Sequence, residues 1–183
     1  MAILSLIYNP AIREMGRDLA PMLPKYWEHV AASSSGKYHP VFALGEGGLL
    51  RHSVLVAYFC HRLALSRGLN QYWHDVVVLA GLLHDGLKQG LGEGGHTVHE
   101  HPILAAEWLR GFNNSILDDV AHVIETHMGV FVTSKYSSVR LEEPIDDNQK
   151  LLSDADMLAA TPELDFDFDR MVESIREEVA KRG

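Results

Sequence analysis

Apolar residues recur every three or four positions along most of the chain, the spacing of helices that bury one face. Leu50, Val54 and Ala57 illustrate the pattern, and Gly68 is well suited to end that helix. The run Val76–Val78 taken alone would also fit a strand, but the long apolar segment around it favours a buried helix. The predicted helices cover residues 10–19, 26–30, 49–67, 71–87, 102–110, 115–128, 147–161 and 166–181.

These segments predict an all-α fold, a compact helical bundle. The chain has no internal repeat and no linker long enough to separate domains, so residues 1–183 are expected to form a single domain. The last predicted helix, 166–181, is amphipathic, with Met171, Ile175 and Val179 on its inner side. That pattern indicates packing or a dimer contact rather than chemistry, and an oligomer stays possible.

Composition narrows the class of protein. The net charge of −9 argues against binding long double-stranded nucleic acid, which needs clustered lysine and arginine. The single cysteine, Cys60, allows no internal disulfide and fits a reducing, cytoplasmic setting. Apolar runs stay well short of the ~20 residues that span a bilayer, so no membrane association is expected.

Histidine is the feature that departs from an ordinary composition, with eleven in the chain. His84 and Asp85 stand side by side at the end of an apolar run and just before Gly86. Burying a carboxylate beside an imidazole is costly, and a metal ion offsets that cost. An adjacent pair can share one face where a helix ends or loosens, which the glycine makes plausible.

From the 49–67 helix to the 147–161 helix, each predicted helix supplies one or two side chains of metal-ligand type, within the helix or directly before it. They are His52, His84, Asp85, His101, His127 and, in the 147–161 helix, Asp154 and Asp156. Helical bundles build metal sites in this way, from inward side chains on facing helices. Nitrogen and oxygen ligands without thiolates favour divalent Fe or Mn, or alternatively Zn, Ni, Co or Mg.

The order of these residues resembles the HD-domain superfamily of metal-dependent phosphohydrolases, an all-helical fold. The family pattern is a histidine, a later His-Asp pair and a distal aspartate, which here are His52, His84-Asp85 and a residue of the Asp154–Asp156 segment. The Ala-Asp-x-Leu context favours Asp156, with Asp154 as the alternative. The resemblance covers about residues 45–160.

Two-metal members of the superfamily add two histidines, which here are His101, before Pro102, and His127. The resemblance therefore implies a site with six ligands and one or two ions. One departure is that many members read His-Asp-Ile-Gly-Lys, whereas here Gly86 directly follows the pair. Lys88 nevertheless keeps its offset.

The resemblance implies hydrolysis of a small phosphorylated substrate, a phosphomonoester or phosphodiester such as a nucleotide or short oligonucleotide, by a metal-activated water. Asp85, able to bridge two metals, and Lys88, able to neutralise a phosphate, are the catalytic candidates. The alternatives are a di-iron oxygenase of the same fold and a non-catalytic, nucleotide-binding regulatory module.

Several polar residues near the motifs allow two interpretations. Lys88 and Arg51 are candidate phosphate contacts, or else ordinary surface or supporting residues. His96 and His99, beside the glycine-rich 86–95 loop, could reach the substrate as proton donors, or else are simply solvated. The remaining histidines are interpreted as follows: His122 as structural, His61 and His74 as hydrogen-bonded helix residues, and His29 and His39 as peripheral.

Overall fold

The computed structural model describes residues 1–33, 37, 39–92 and 95–182, and over these residues it contains helices, turns and loops but no strand. The prediction of an all-helical bundle is confirmed. Short 3₁₀ helices span Ala2–Leu6, Ala20–Met22 and Val41–Ala43. The α-helices are α1 Pro10–Leu19, α2 Tyr26–His29, α3 Gly48–Ser66, α4 Gln71–Leu83, α5 His101–Arg110, α6 Ser115–Ile124, α7 Asp147–Ala159 and α8 Phe168–Ala180.

Helix α4 is the centre of the bundle. Almost all of its length is buried, and it packs against α1, α3, α6 and α7. Its closest neighbour is α3, which also packs against α7. Gly81 makes this approach possible, because a Cβ there would lie 2.9 Å from both Ala57 Cα and Cys60 Sγ. The small residues of both helices therefore set the distance between α3 and α4.

Gly81→Ala is expected to destabilise the fold by about 1–3 kcal/mol, the usual cost of overpacking, because backbone atoms of α3 cannot move aside. Gly92→Ala is the matched control, since no described atom lies within 4 Å of a Cβ there. Urea unfolding of both variants measures the difference. Equal stability of the two variants would contradict the close approach of α3 and α4.

Helix α4 ends at Leu83, earlier than the predicted residue 87, and α6 ends at Ile124 rather than near residue 128. Tight turns with hydrogen bonds to the third residue back follow both helices; after α4, Gly86 N–H donates to Leu83 O and Lys88 N–H to Asp85 O. Such turns have about three residues per turn. Side chains three apart therefore align, which brings Lys88 beside Asp85.

Gly86 contributes close packing, since a Cβ would lie 2.6 Å from Leu23 Cδ2. Its backbone does not enter the left-handed region. The helix loosens after Leu83 as predicted, but not through a left-handed glycine.

A chain of polar contacts fixes α8 to the bundle. Glu178 Oε2 lies 3.0 Å from His61 Nε2, and His61 Nδ1 lies 2.8 Å from His74 Nε2. His74 Nδ1 then meets Asp75 Oδ1 at 2.9 Å. Arg182 pairs with Glu178 and donates to carbonyl groups of the first 3₁₀ helix. His61 and His74 are hydrogen-bonded helix residues, as interpreted above.

Within the described parts of the chain, no helix has the length and apolar character needed to cross a membrane.

Candidate metal centre

Six polar side chains from five parts of the fold meet beside α4. Five are buried, and the Asp156 side chain is 21% exposed. They are His52 of α3, His84 and Asp85 of the turn after α4, His101 at the start of α5, His127 of the turn after α6, and Asp156 of α7. These are the six residues that the sequence proposed as ligands, and the structure brings them together.

Three of the four histidines are fixed by their own backbone. The Nδ1 atoms of His84, His101 and His127 lie 2.8, 2.7 and 2.9 Å from the carbonyl oxygens of the residues three positions earlier. A carbonyl oxygen only accepts hydrogen bonds, so each Nδ1 carries the proton. In the neutral imidazole this tautomer leaves a lone pair on Nε2, the state in which imidazole binds a metal.

Among the described residues, no hydrogen-bond donor contacts these lone pairs. His101 Nε2 lies 3.1 Å from His127 Nε2, although both atoms are acceptors in this tautomer. His84 Nε2 is buried and, over the described residues, has no hydrogen-bond partner. Unpaired buried acceptors are costly, and a cation held between them removes the cost. The donor set therefore fits a divalent metal ion.

The two aspartates divide the cluster into two adjoining groups. Asp85 Oδ1 lies 3.0 Å from His101 Nε2 and 3.6 Å from His127 Nε2. Asp85 Oδ2 faces the other way, 3.6 Å from His84 Nε2 and 3.9 Å from His52 Nε2. One ligand atom from each of Asp85, His101 and His127 lies within 4.8 Å of the others, and so do those of His52, His84 and Asp85. Asp85 belongs to both of these groups, and His84, His127 and Asp156 form a third group of the same kind that overlaps them.

Asp156 adds a second carboxylate to the His52 group. Its Oδ1 lies 2.9 Å from His52 Nε2 and 3.7 Å from His84 Nε2. Asp154, two residues earlier on α7, is exposed and pairs with Arg67 at 2.6 Å instead. The structure therefore places Asp156, and not Asp154, against the histidines.

The electrostatics favour the protonation states that ligands need. Burial lowers the pKa of His84 to about 4 and also lowers the pKa of His101, so both imidazoles are neutral near neutral pH. Burial opposes ionisation of Asp85, but the Lys88 ammonium beside it holds its pKa well below the usual range. Hydrogen bonding to His52 likewise outweighs burial and lowers the pKa of Asp156. The site thus presents neutral imidazoles at His84 and His101 beside two ionised carboxylates.

The metal-free protein is expected to lose stability as the pH falls from 6.5 towards 4. In this window the unfolded chain protonates His84 whereas the folded chain keeps it neutral, so acid favours unfolding. A lowering of the His84 pKa from 6.5 to about 4 corresponds to a change in the free energy of unfolding on the order of 3 kcal/mol. Urea unfolding of chelator-treated protein at pH 7 and pH 4.5 measures it, and His84→Gln should remove the His84 share of the loss. The same slope in both proteins would contradict the assignment to His84.

The other predicted site residues lie in different settings. Lys88 Nζ is 2.5 Å from Asp85 Oδ2, with its side chain 13% exposed at the rim of the centre. Arg51 donates from Nε and Nη2 to the carbonyl oxygens of Phe42 and Glu46, at 2.7 Å each, and so holds the loop before α3.

The two loop histidines also differ. His96 is exposed, while the partly buried His99 lies 3.4 Å from Val132 O. Substrate contacts by Arg51, His96 and His99 stay predictions. His122 pairs with Asp146, which caps α7, at 2.6 Å, a structural role as interpreted from the sequence.

Two residues of the site region were not singled out by sequence reasoning as site residues. Tyr26 Oη donates to Gly90 O at 2.7 Å and accepts from Gln89 N–H at 3.0 Å, which supports the turn that carries Lys88. His39, interpreted as peripheral, packs its ring against that of His52 at a centroid distance of 5.0 Å. Neither residue belongs to a periodic apolar pattern that would predict a position near the centre. Only the tertiary structure shows that they lie there.

Comparison with known families agrees with this geometry. A model of the HD-domain family matches residues 49–161, more than half of the chain and a range that contains all six clustered residues. Comparisons with curated proteins and with solved structures return no match. The family match, which covers the buried histidine and aspartate cluster, shows that this chain belongs to the HD-domain family.

Proposed function

We propose that this protein is a metal-dependent phosphohydrolase that acts on a phosphomonoester or phosphodiester, a nucleotide or short oligonucleotide. Membership of the HD-domain family supports the reaction class. The observation that carries the proposal is the set of inward Nε2 lone pairs around one shared carboxylate, because such a set needs a cation.

The cluster would hold two divalent ions, and Asp85 is common to the two groups of ligands that would bind them. His52, His84 and Asp156 complete one group, while His101 and His127 complete the other. Fe and Mn suit these ligands, with Zn, Ni, Co and Mg as alternatives. When bound, such ions lower the pKa of a water molecule and polarise a phosphoryl oxygen. The protein's part is to hold the ligands in the protonation states described above.

Lys88 is the proposed phosphate contact. Its ammonium neutralises Asp85 in the metal-free protein and reaches solvent at the rim of the centre. With metal ions bound in the centre, the Lys88 ammonium would be free to bind an anionic phosphate oxygen. The acidic net charge of −9 supports a small phosphorylated substrate over a long duplex.

The test is hydrolysis by metal-loaded protein of p-nitrophenyl phosphate, bis-p-nitrophenyl phosphate, nucleoside mono- and triphosphates, cyclic nucleotides and short oligonucleotides. The proposal predicts metal-dependent turnover of at least one of these that Asp85→Asn abolishes. Full metal content without any turnover would overturn it. Oxygen uptake without phosphate-ester cleavage would point to a di-iron oxygenase, and nucleotide binding without turnover to a regulatory module.

A further inference from the structure

His39 occupies a built position beside the metal centre. Its ring meets the His52 ring edge to face, at 5.0 Å and an interplanar angle of 67°. Its Nδ1 is buried and has no hydrogen-bond partner over the described residues. A buried polar atom left unpaired in the free protein is costly, and a bound ligand can satisfy it.

The chain that follows His39 is held against the start of α3. Arg51 holds the carbonyl groups of Phe42 and Glu46, and Ala32 N–H donates to Ala43 O at 2.9 Å. Gly48 packs so tightly on this turn that a Cβ would lie 2.1 Å from Ala43 O. The position of His39 over His52 is therefore supported by the backbone and does not depend on one flexible contact.

His39 is close to the centre without belonging to the ligand set. Among the described residues, the groups of ligand atoms that lie within 4.8 Å of one another do not include it. Burial lowers its pKa to about 4, and the charges of Lys88, Asp156 and Asp85 act on it along with His52. Its electrostatic neighbours are therefore the carboxylates of the centre and the ammonium at its rim.

We infer that His39 is a substrate-binding residue, whose Nδ1–H donates a hydrogen bond to an oxygen of the phosphorylated substrate at the metal centre. The inference deepens the proposed function and rests on it. An imidazole N–H suits this place, because it donates a hydrogen bond to a phosphate oxygen and leaves the carboxylates of the centre to the metal ions.

The experiment compares His39→Ala, His39→Asn and the control His29→Ala in the full-length, metal-loaded protein. The side-chain amide of asparagine can donate from nearly the place of Nδ1, whereas alanine cannot. His29, like His39, precedes α3 in the sequence. Its side chain is 64% exposed and lies outside the centre. Metal content, KM and the affinity for inorganic phosphate, measured by calorimetry, are the readouts.

For His39→Ala we expect unchanged metal content and a loss of phosphate affinity of roughly ten-fold or more, as for a buried hydrogen bond to a charged group. KM should rise in parallel. His39→Asn should recover most of the affinity, and His29→Ala should match the parent protein. Parent-like phosphate affinity in His39→Ala, or loss of metal from it, would overturn the inference.

The two proposals fail in different ways. A metal-loaded parent that hydrolyses none of the substrates fails the phosphohydrolase proposal, while its phosphate affinity still reports on His39. A parent that hydrolyses them with the same KM as His39→Ala fails only the role of His39.

Discussion

Asp85→Asn is expected to remove bound metal from both groups of the centre and to abolish hydrolysis. Asp85 Oδ1 faces His101 and His127, whereas Oδ2 faces His84 and His52, so one substitution weakens both groups. Asparagine keeps the size of the side chain but removes the negative charge that two cations would share. We expect metal affinity to fall by more than the roughly 10–100-fold typical of losing a residue that supports a ligand.

Asp75→Asn is the matched control for the loss of a buried carboxylate. Asp75 is buried on α4, the helix that precedes the turn with Asp85, but it accepts from Tyr8 N–H, Asn9 N–H and His74. This variant should lose stability and keep its metal, whereas Asp85→Asn should lose its metal. Full metal content and full rate in Asp85→Asn would show that the centre is misplaced.

Asp156→Ala is expected to cost far more activity than Asp154→Ala, although the two aspartates lie two residues apart on α7. Asp156 Oδ1 lies 2.9 Å from His52 Nε2, while Asp154 is 52% exposed and pairs with Arg67. Removing Asp156 deletes a carboxylate of the His52 group, and removing Asp154 deletes only a surface ion pair of about 0–1 kcal/mol. Rates at saturating metal, together with metal content, measure the difference.

A larger loss of activity in Asp154→Ala would mean that α7 presents its other face to the centre. Equal, small losses in both variants would remove α7 from the site. Thermal unfolding of both variants provides the control for folding, since neither substitution touches the apolar core face of Leu151, Leu152 and Ala155.

The sequence predicts the helices of this fold because their buried faces repeat every three or four residues. It does not predict where α4 and α6 end. The residues after Leu83 and Ile124 continue in tight turns whose side chains remain buried, so the apolar pattern runs past the helix itself. Those turns carry His84, Asp85 and His127, and their geometry aligns Asp85 with Lys88.

The six clustered residues could be named from the sequence because each stands in an apolar setting or in a recognisable motif. The sequence does not predict which of the six residues lie closest to one another, since this depends on distances between α3, α5, α7 and the two turns. Arg51 stands next to His52 in the sequence, yet its guanidinium points into the loop before α3. His39 lies in a segment without periodicity and reaches the centre only through the tertiary fold.

The most direct test is the metal content per chain of protein purified without chelator and then supplied with Fe or Mn, measured by inductively coupled plasma mass spectrometry. Two ions that share Asp85 predict close to two equivalents, falling to near zero in Asp85→Asn. One equivalent would confine binding to a single group and contradict the sharing of Asp85. A chain that holds no metal even when supplied with it would contradict the metal centre altogether.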